Sequence, residues 1–127
     1  MARIMIVEDE ADLGELYRIV LGEFGHEVHG PYADPREPLW HMQDLRDAGQ
    51  IDLILLDERL GRLSGSAYIE RFRSAFPGAK IVLVSADPEA VAHGQERGAD
   101  SALKKPVPIA RLLELIASLL MEASNGC

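Results

Sequence analysis

Short apolar runs alternate along this chain with stretches in which apolar residues return every three or four positions. The first pattern predicts buried strands and the second predicts amphipathic helices. Ile4-Met5-Ile6-Val7 is the first strand. Leu13, Leu16, Tyr17, Val20, Leu21 and Phe24 then mark the inward face of a helix, and Gly25 stands where a C-cap glycine belongs. A weaker strand is expected around Glu27-Val28-His29. Asp34-Pro35-Arg36-Glu37 reads as a helix start: Asp34 as cap, Pro35 in the first helical position, Glu37 at capping-box spacing. Pro38 is still in the first turn, Leu39, Met42 and Leu45 would face inward, and Trp40 is expected to pack.

Leu53-Ile54-Leu55-Leu56 is a strong strand ending at Asp57. Ala67, Tyr68, Ile69, Phe72 and Phe76 form the next helix face, closed by the Pro77-Gly78 turn. Ile81-Val82-Leu83-Val84 is another strong strand, ending at Ser85. Asp87-Pro88-Glu89 opens a short helix running to about Arg97, with a thin apolar face weakened by Gly94. Ser101-Ala102-Leu103 is a short strand ending at Lys104-Lys105. Pro108 opens a last helix with Ile109, Leu112, Leu113, Ile116, Leu119 and Leu120 inward. Five strands alternating with five helices predict an α/β fold with a parallel sheet covered on both faces. Right-handed crossovers leave few topologies, of which the doubly wound, flavodoxin-like order 2-1-3-4-5 is chosen here.

Composition narrows the function. The 127 residues are one domain's worth, with the core expected over about 3–121, and 47% of them are hydrophobic. A net charge of −8 repels phosphate backbones, which argues against nucleic-acid binding. Neither a membrane-length apolar run nor a basic amphipathic stretch is present, so no membrane partner is expected. The single cysteine is the last residue, Cys127, so no internal disulfide can form; a cytoplasmic location is expected.

In an open α/β sheet the ligand lies beyond the carboxyl ends of the strands. Those ends carry Glu8 and Asp9, Asp57, Ser85 and Lys105. Crowded carboxylates repel one another, and an oxygen-seeking cation such as Mg2+ relieves that repulsion. A carboxylate can also accept a phosphoryl group as an aspartyl phosphate, with a cation and a lysine balancing the transferred charge. The four histidines (His26, His29, His41, His93) have no ligand spacing and receive no role.

These residues resemble the receiver domains of bacterial response regulators in two-component signalling, from about Arg3 to Met121. The resemblance is carried by Val7-Glu8-Asp9-Glu10, Leu56-Asp57, Gly65, Val84-Ser85-Ala86, Gly98-Ala99-Asp100 and Lys105-Pro106. Each motif alone is weak; their order and strand-end placement together are specific. The resemblance implies that Asp57 is the phosphoacceptor and that Asp9 binds Mg2+. Glu8 would help hold the ion, directly or through water, and the Arg59 backbone carbonyl would add a ligand. Lys105 would pair with the phosphoryl group, with a Lys105–Pro106 bond that is often cis, and Ser85 would be the switch hydroxyl. A sensor histidine kinase or a histidine phosphotransfer protein would be the donor. With no output domain expected, the effect would reach a downstream protein through helix 4, strand 5 and helix 5.

Two departures stand out. The family usually has an aromatic residue three before the lysine, where this chain has Ala102, and a proline four after the phosphoacceptor, where it has Gly61. The first removes the aromatic half of the switch; the second is expected to loosen residues 61–65. Arg59 and Asp87 flank the pocket at positions that tune phosphoryl lifetime in the family, and could pair. Three other functions compete. A receiver-like interaction module that is never phosphorylated has no reason to hold Mg2+. An aspartate-nucleophile phosphatase typically has a second Asp two after the nucleophile, where Arg59 stands. An FMN carrier needs a phosphate-cradling loop where Glu8-Asp9 would repel phosphate. The preferred reading is a stand-alone receiver, an enzyme only toward its own phosphoryl group.

Overall fold

The computed structural model describes residues 2–125, so Cys127 lies outside the described residues. In chain order the elements are β1 (Arg3–Val7), α1 (Ala11–Glu23), β2 (Glu27–Tyr32), α2 (Arg36–Trp40), α3 (Met42–Asp47) and β3 (Leu53–Asp57). Then come β4 (Arg59–Leu60), β5 (Leu63–Ser64), a 3-10 turn (Gly65–Tyr68), α4 (Ile69–Ala75) and β6 (Lys80–Ser85). The chain ends with α5 (Pro88–Ala92), β7 (Ser101–Lys104) and α6 (Ile109–Asn125).

The main sheet has five strands in the order β2-β1-β3-β6-β7, and every neighbouring pair is parallel. With the small β4–β5 hairpin set aside, this is the predicted 2-1-3-4-5 order. The central strands are covered on both faces, so their residues alternate between two cores. Met5, Val7, Ile54, Leu56, Ile81 and Leu83 pack with Ile69, Phe72 and Phe76 on one side. Ile4, Ile6, Leu53, Leu55, Val82 and Val84 pack with Tyr17, Leu21, Leu112, Ile116 and Leu119 on the other. Among the described residues no helix is long and apolar enough to cross a membrane.

Several expectations need correction. The second helix breaks into α2 and α3 at His41, whose φ of −104° leaves the helical region. Its start is one residue later than expected: Asp34 Oδ1 accepts the Arg36 amide at 2.9 Å, and Arg36 is the first helical residue. The third helix opens as the 3-10 turn, and Ala67 is exposed. The helix after Asp87 is α-helical only as far as Ala92, and turns carry it to Gly98. Trp40 does not pack into the core: it is 71% exposed, with the Arg36 guanidinium 5.9 Å from its ring centre. Leu16 and Phe24 are also exposed. α1 rests on the sheet along a narrow seam of Gly14, Tyr17 and Leu21, because Gly14 comes close to Pro31: a Cβ on Gly14 would lie 2.7 Å from the Pro31 Cβ. The helix ends as expected, with Gly25 at φ +88° and the His26 amide reaching back to the Leu21 carbonyl.

Candidate functional site

β1, β3, β6 and β7 all end at one edge of the sheet, and each hands a polar side chain to the same open cavity of about 390 Å3. Glu8, Asp9, Asp57, Arg59, Ser85, Asp87 and Lys105 line it. The structure therefore gathers all the residues singled out from the sequence. Asp57 is the last residue of β3, in register with Val84 of β6, and is only 5% exposed. Glu8 is 4% exposed and Ser85 5%, whereas Asp9 is exposed.

Lys105 ties the site together. Its Nζ lies 2.7 Å from Glu8 Oε1 and 3.0 Å from Asp57 Oδ1. The lysine is held by its own amide, which donates to the Ser85 carbonyl at 2.8 Å, and the following Lys105–Pro106 bond is cis. Burial pushes the Asp57 carboxyl up to about 7; the Lys105 hydrogen bond opposes this and the neighbouring Glu8 charge adds to it. Burial works against the Lys105 ammonium, but its hydrogen bonds to Glu8 and Asp57 outweigh that and hold its pKa above the ordinary value.

One carboxylate oxygen from each of Glu8, Asp9 and Asp57 can be chosen so that all lie within 4.8 Å of one another. Three hard oxygen donors at that spacing, with one lysine against them, suit a small divalent cation such as Mg2+. The Ser85 hydroxyl oxygen accepts the Asp87 amide at 3.0 Å, which leaves its O–H free to donate. Gly65 passes so close to the end of β3 that a Cβ there would run into the Asp57 carbonyl oxygen, so a glycine is required.

Other features of the site were not foreseen. The segment after Asp57 is not loose: Arg59–Leu60 and Leu63–Ser64 pair as an antiparallel hairpin. At its tip Gly61 has φ +63°, and its amide donates to Asp9 Oδ2 at 2.9 Å. Glu58 accepts hydrogen bonds from the Ser64 hydroxyl and the Ser66 amide, and pairs with Arg97 at 3.2 Å. That pair joins the residue after Asp57 to the segment leading into β7. An acid next to a strand end is the only sign of it in the sequence, where Arg97 marks only the approximate end of a helix. Arg59 and Asp87 both line the cavity, yet no ion pair among the described residues joins them, and Asp87 caps α5 through the Glu89 amide. Ala102 is half-buried, and the space beside it is taken by backbone: a Cβ on Gly94 would lie 2.8 Å from the Ala102 Cβ.

Residues 4–117 match the family model described as the response regulator receiver domain. The chain is 37% identical over 120 residues to the transcriptional regulatory protein CusR of Escherichia coli, covering 93% of this chain and 51% of that protein. It thus spans about half the length of the curated relatives it matches. Among solved structures, a CheY-like receiver domain protein from Methanospirillum hungatei superposes with a TM-score of 0.84 at 28% identity, covering 100% of this chain and 99% of that one. The response regulator TrrA from Thermotoga maritima, solved in complex with Mg2+-BeF, gives a TM-score of 0.73 at 26% identity, over 94% of this chain and 99% of that one. The match over nearly the whole chain agrees with the strand order and with the acids gathered at the sheet edge, and this protein belongs to the response regulator receiver domain family.

Proposed function

We propose that this chain works as a receiver that takes a phosphoryl group on Asp57 and passes the change to a protein partner. The observation that carries this reading is the single lysine set between two buried carboxylates, with a third acid beside them at the strand ends. Such an arrangement is costly for stability alone, because buried charges must be desolvated. It is suited to a group that adds negative charge at Asp57.

Asp57, Asp9 and Glu8 would hold Mg2+, with the Arg59 carbonyl as a further ligand. When bound, the ion neutralises charge on the transferring phosphoryl group. An ionised Asp57 oxygen attacks phosphorus, the P–N bond of a phosphohistidine breaks, and the imidazole nitrogen leaves with the electron pair. Lys105 exchanges its contact with Asp57 for one with a phosphoryl oxygen, and the Ser85 O–H donates to another. Water later cleaves the acyl phosphate and returns the carboxylate. The donor is a histidine kinase or histidine phosphotransfer protein, and no other substrate is turned over.

The structural consequence falls on the segment Asp87–Gly98. One end is held at Ser85 Oγ by the Asp87 amide, the other at Glu58 by Arg97. A phosphoryl group that recruits Ser85 acts directly on the first of these. α5, β7 and α6 form the surface that would present the change to a partner.

Incubation with acetyl phosphate and Mg2+, followed by intact mass measurement, tests the reading. The expected result is one added phosphoryl group, absent with EDTA and absent in Asp57→Asn. An unchanged mass in Mg2+ would favour the interaction module that is never phosphorylated.

A further inference from the structure

The three acids of the cluster are restrained by different groups. Glu8 is buried and held by Lys105 at 2.7 Å and by the Glu10 amide at 3.2 Å. Asp57 is buried and held by Lys105 at 3.0 Å. Asp9 is exposed, and an exposed aspartate samples several rotamers unless something fixes it. Its contact comes from elsewhere in the chain: the Gly61 amide donates to Asp9 Oδ2 at 2.9 Å across a separation of 52 residues.

The hairpin is built to deliver that amide. Leu60 pairs with Leu63, so Gly61 and Arg62 form a two-residue loop. Gly61 has φ +63° while no residue other than glycine has positive φ among the described residues, the pattern of a type II′ turn with glycine in its first central position. Nothing lies within 4 Å of where a Gly61 Cβ would be, so glycine is there for backbone conformation and not for lack of room. The hairpin base is fastened at the same time, by the Ser64 hydroxyl and the Ser66 amide on Glu58.

We propose that Gly61 is a positioning residue for the cation site: its backbone N–H selects the Asp9 rotamer in which the carboxylate joins Glu8 and Asp57. This rests on the reading that the three acids take Mg2+. One Asp9 oxygen accepts the amide, and the other remains for the ion. The ordering entropy of an exposed ligand is thereby met by the fold before the ion arrives.

The test uses the full chain with Mg2+ alone as ligand. Gly61→Ala disfavours the φ of +63° but keeps the N–H, whereas Gly61→Pro forbids that φ and lacks the N–H. By calorimetry, Gly61→Pro should weaken Mg2+ binding roughly tenfold, and Gly61→Ala should stay within about threefold of the unaltered protein. Melting temperatures are recorded alongside to report how far each variant disturbs the hairpin, and a separate exchange measurement reads the Gly61 amide bond without altering the turn. Equal affinities in the two variants would overturn the proposal. A second measurement needs no change at Gly61. In metal-free protein the Gly61 amide should exchange slowly with solvent, and Asp9→Ala should speed that exchange at least several-fold. An exchange rate indifferent to Asp9→Ala would also overturn it. If the unaltered protein shows no saturable Mg2+ binding, the metal reading itself fails and this inference goes with it. Binding in the unaltered protein with no difference between the proline and alanine variants sinks only the role of Gly61.

Discussion

Lys105 Nζ stands 2.7 Å from Glu8 and 3.0 Å from Asp57, so one ammonium serves two buried carboxylates. Removing it leaves both without a countercharge in a desolvated place. Lys105→Met should therefore cost about 2–4 kcal/mol of stability at pH 8 in metal-free protein. The cost should shrink at pH 5, where Asp57 carries a proton. Urea unfolding at the two pH values checks this; an equal cost at both would contradict the shared-lysine account.

The raised pKa of Asp57 makes stability depend on pH. Its ordinary value is 3.8, and in the folded protein it is pushed up to about 7. Between those values the folded state holds a proton that the unfolded chain has released. Stability therefore falls as pH rises from about 4 to 7, at no more than about 1.4 kcal/mol per pH unit from this group. Asp57→Asn removes that slope. At pH 8, without metal, the Asn variant should be the more stable protein by about 1–3 kcal/mol. Adding Mg2+ at pH 8 should stabilise the unaltered chain much more than the variant, because in the proposed site Asp57 would supply one of the oxygens. Thermal melts with and without EDTA decide it.

Most of this site was legible in the sequence because its chemistry sits on side chains at strand ends. A run such as Leu53-Ile54-Leu55-Leu56 that stops at Asp57 marks both the strand and the mouth of the sheet. What was hidden is carried by backbone or by angle. The Gly61 amide has no side-chain signature, and two-residue strands such as Arg59–Leu60 are too short to show alternation. Apolar spacing places Leu16, Phe24 and Trp40 near the inward stripe of their helices, yet it does not fix how far that stripe extends. The closeness of Gly14 to Pro31 narrows the α1 seam and leaves Leu16 and Phe24 outside it. Trp40, the last residue of α2 before the break at His41, is likewise outside the core.

Gly94 and Ala102 form a backbone-to-side-chain seat where the family usually has an aromatic ring. A Cβ on Gly94 would lie 2.8 Å from the Ala102 Cβ, with the Val91 carbonyl oxygen at 3.4 Å. Gly94→Ala should cost about 1–3 kcal/mol through overpacking. Ala102→Gly in the same chain should recover more of that loss than it costs alone, a coupling that a double-mutant cycle measures directly. Independent, additive effects would mean that the segment does not seat on β7 in this way.

Arg97 is 48% exposed, and Glu58 keeps its hydrogen bonds from the Ser64 hydroxyl and the Ser66 amide without it, so their ion pair contributes little to global stability. Arg97→Gln should cost less than about 1 kcal/mol. Its local effect should be larger: faster amide exchange across residues 88–98, because the tie from that segment to Glu58 is gone while the Arg73 contact with the Gly98 carbonyl remains. Hydrogen exchange read by mass spectrometry would show this, and unchanged exchange in that segment would remove Arg97 from the account.

The central claim is that Asp57 itself carries the phosphoryl group, and borohydride trapping tests it most directly. After acetyl phosphate and Mg2+, reduction converts an aspartyl phosphate to homoserine, which peptide mass spectrometry locates by residue. The account predicts homoserine at position 57, dependent on Mg2+ and missing at every other aspartate. Trapping at another residue, or at none in protein shown to bind Mg2+, would contradict it.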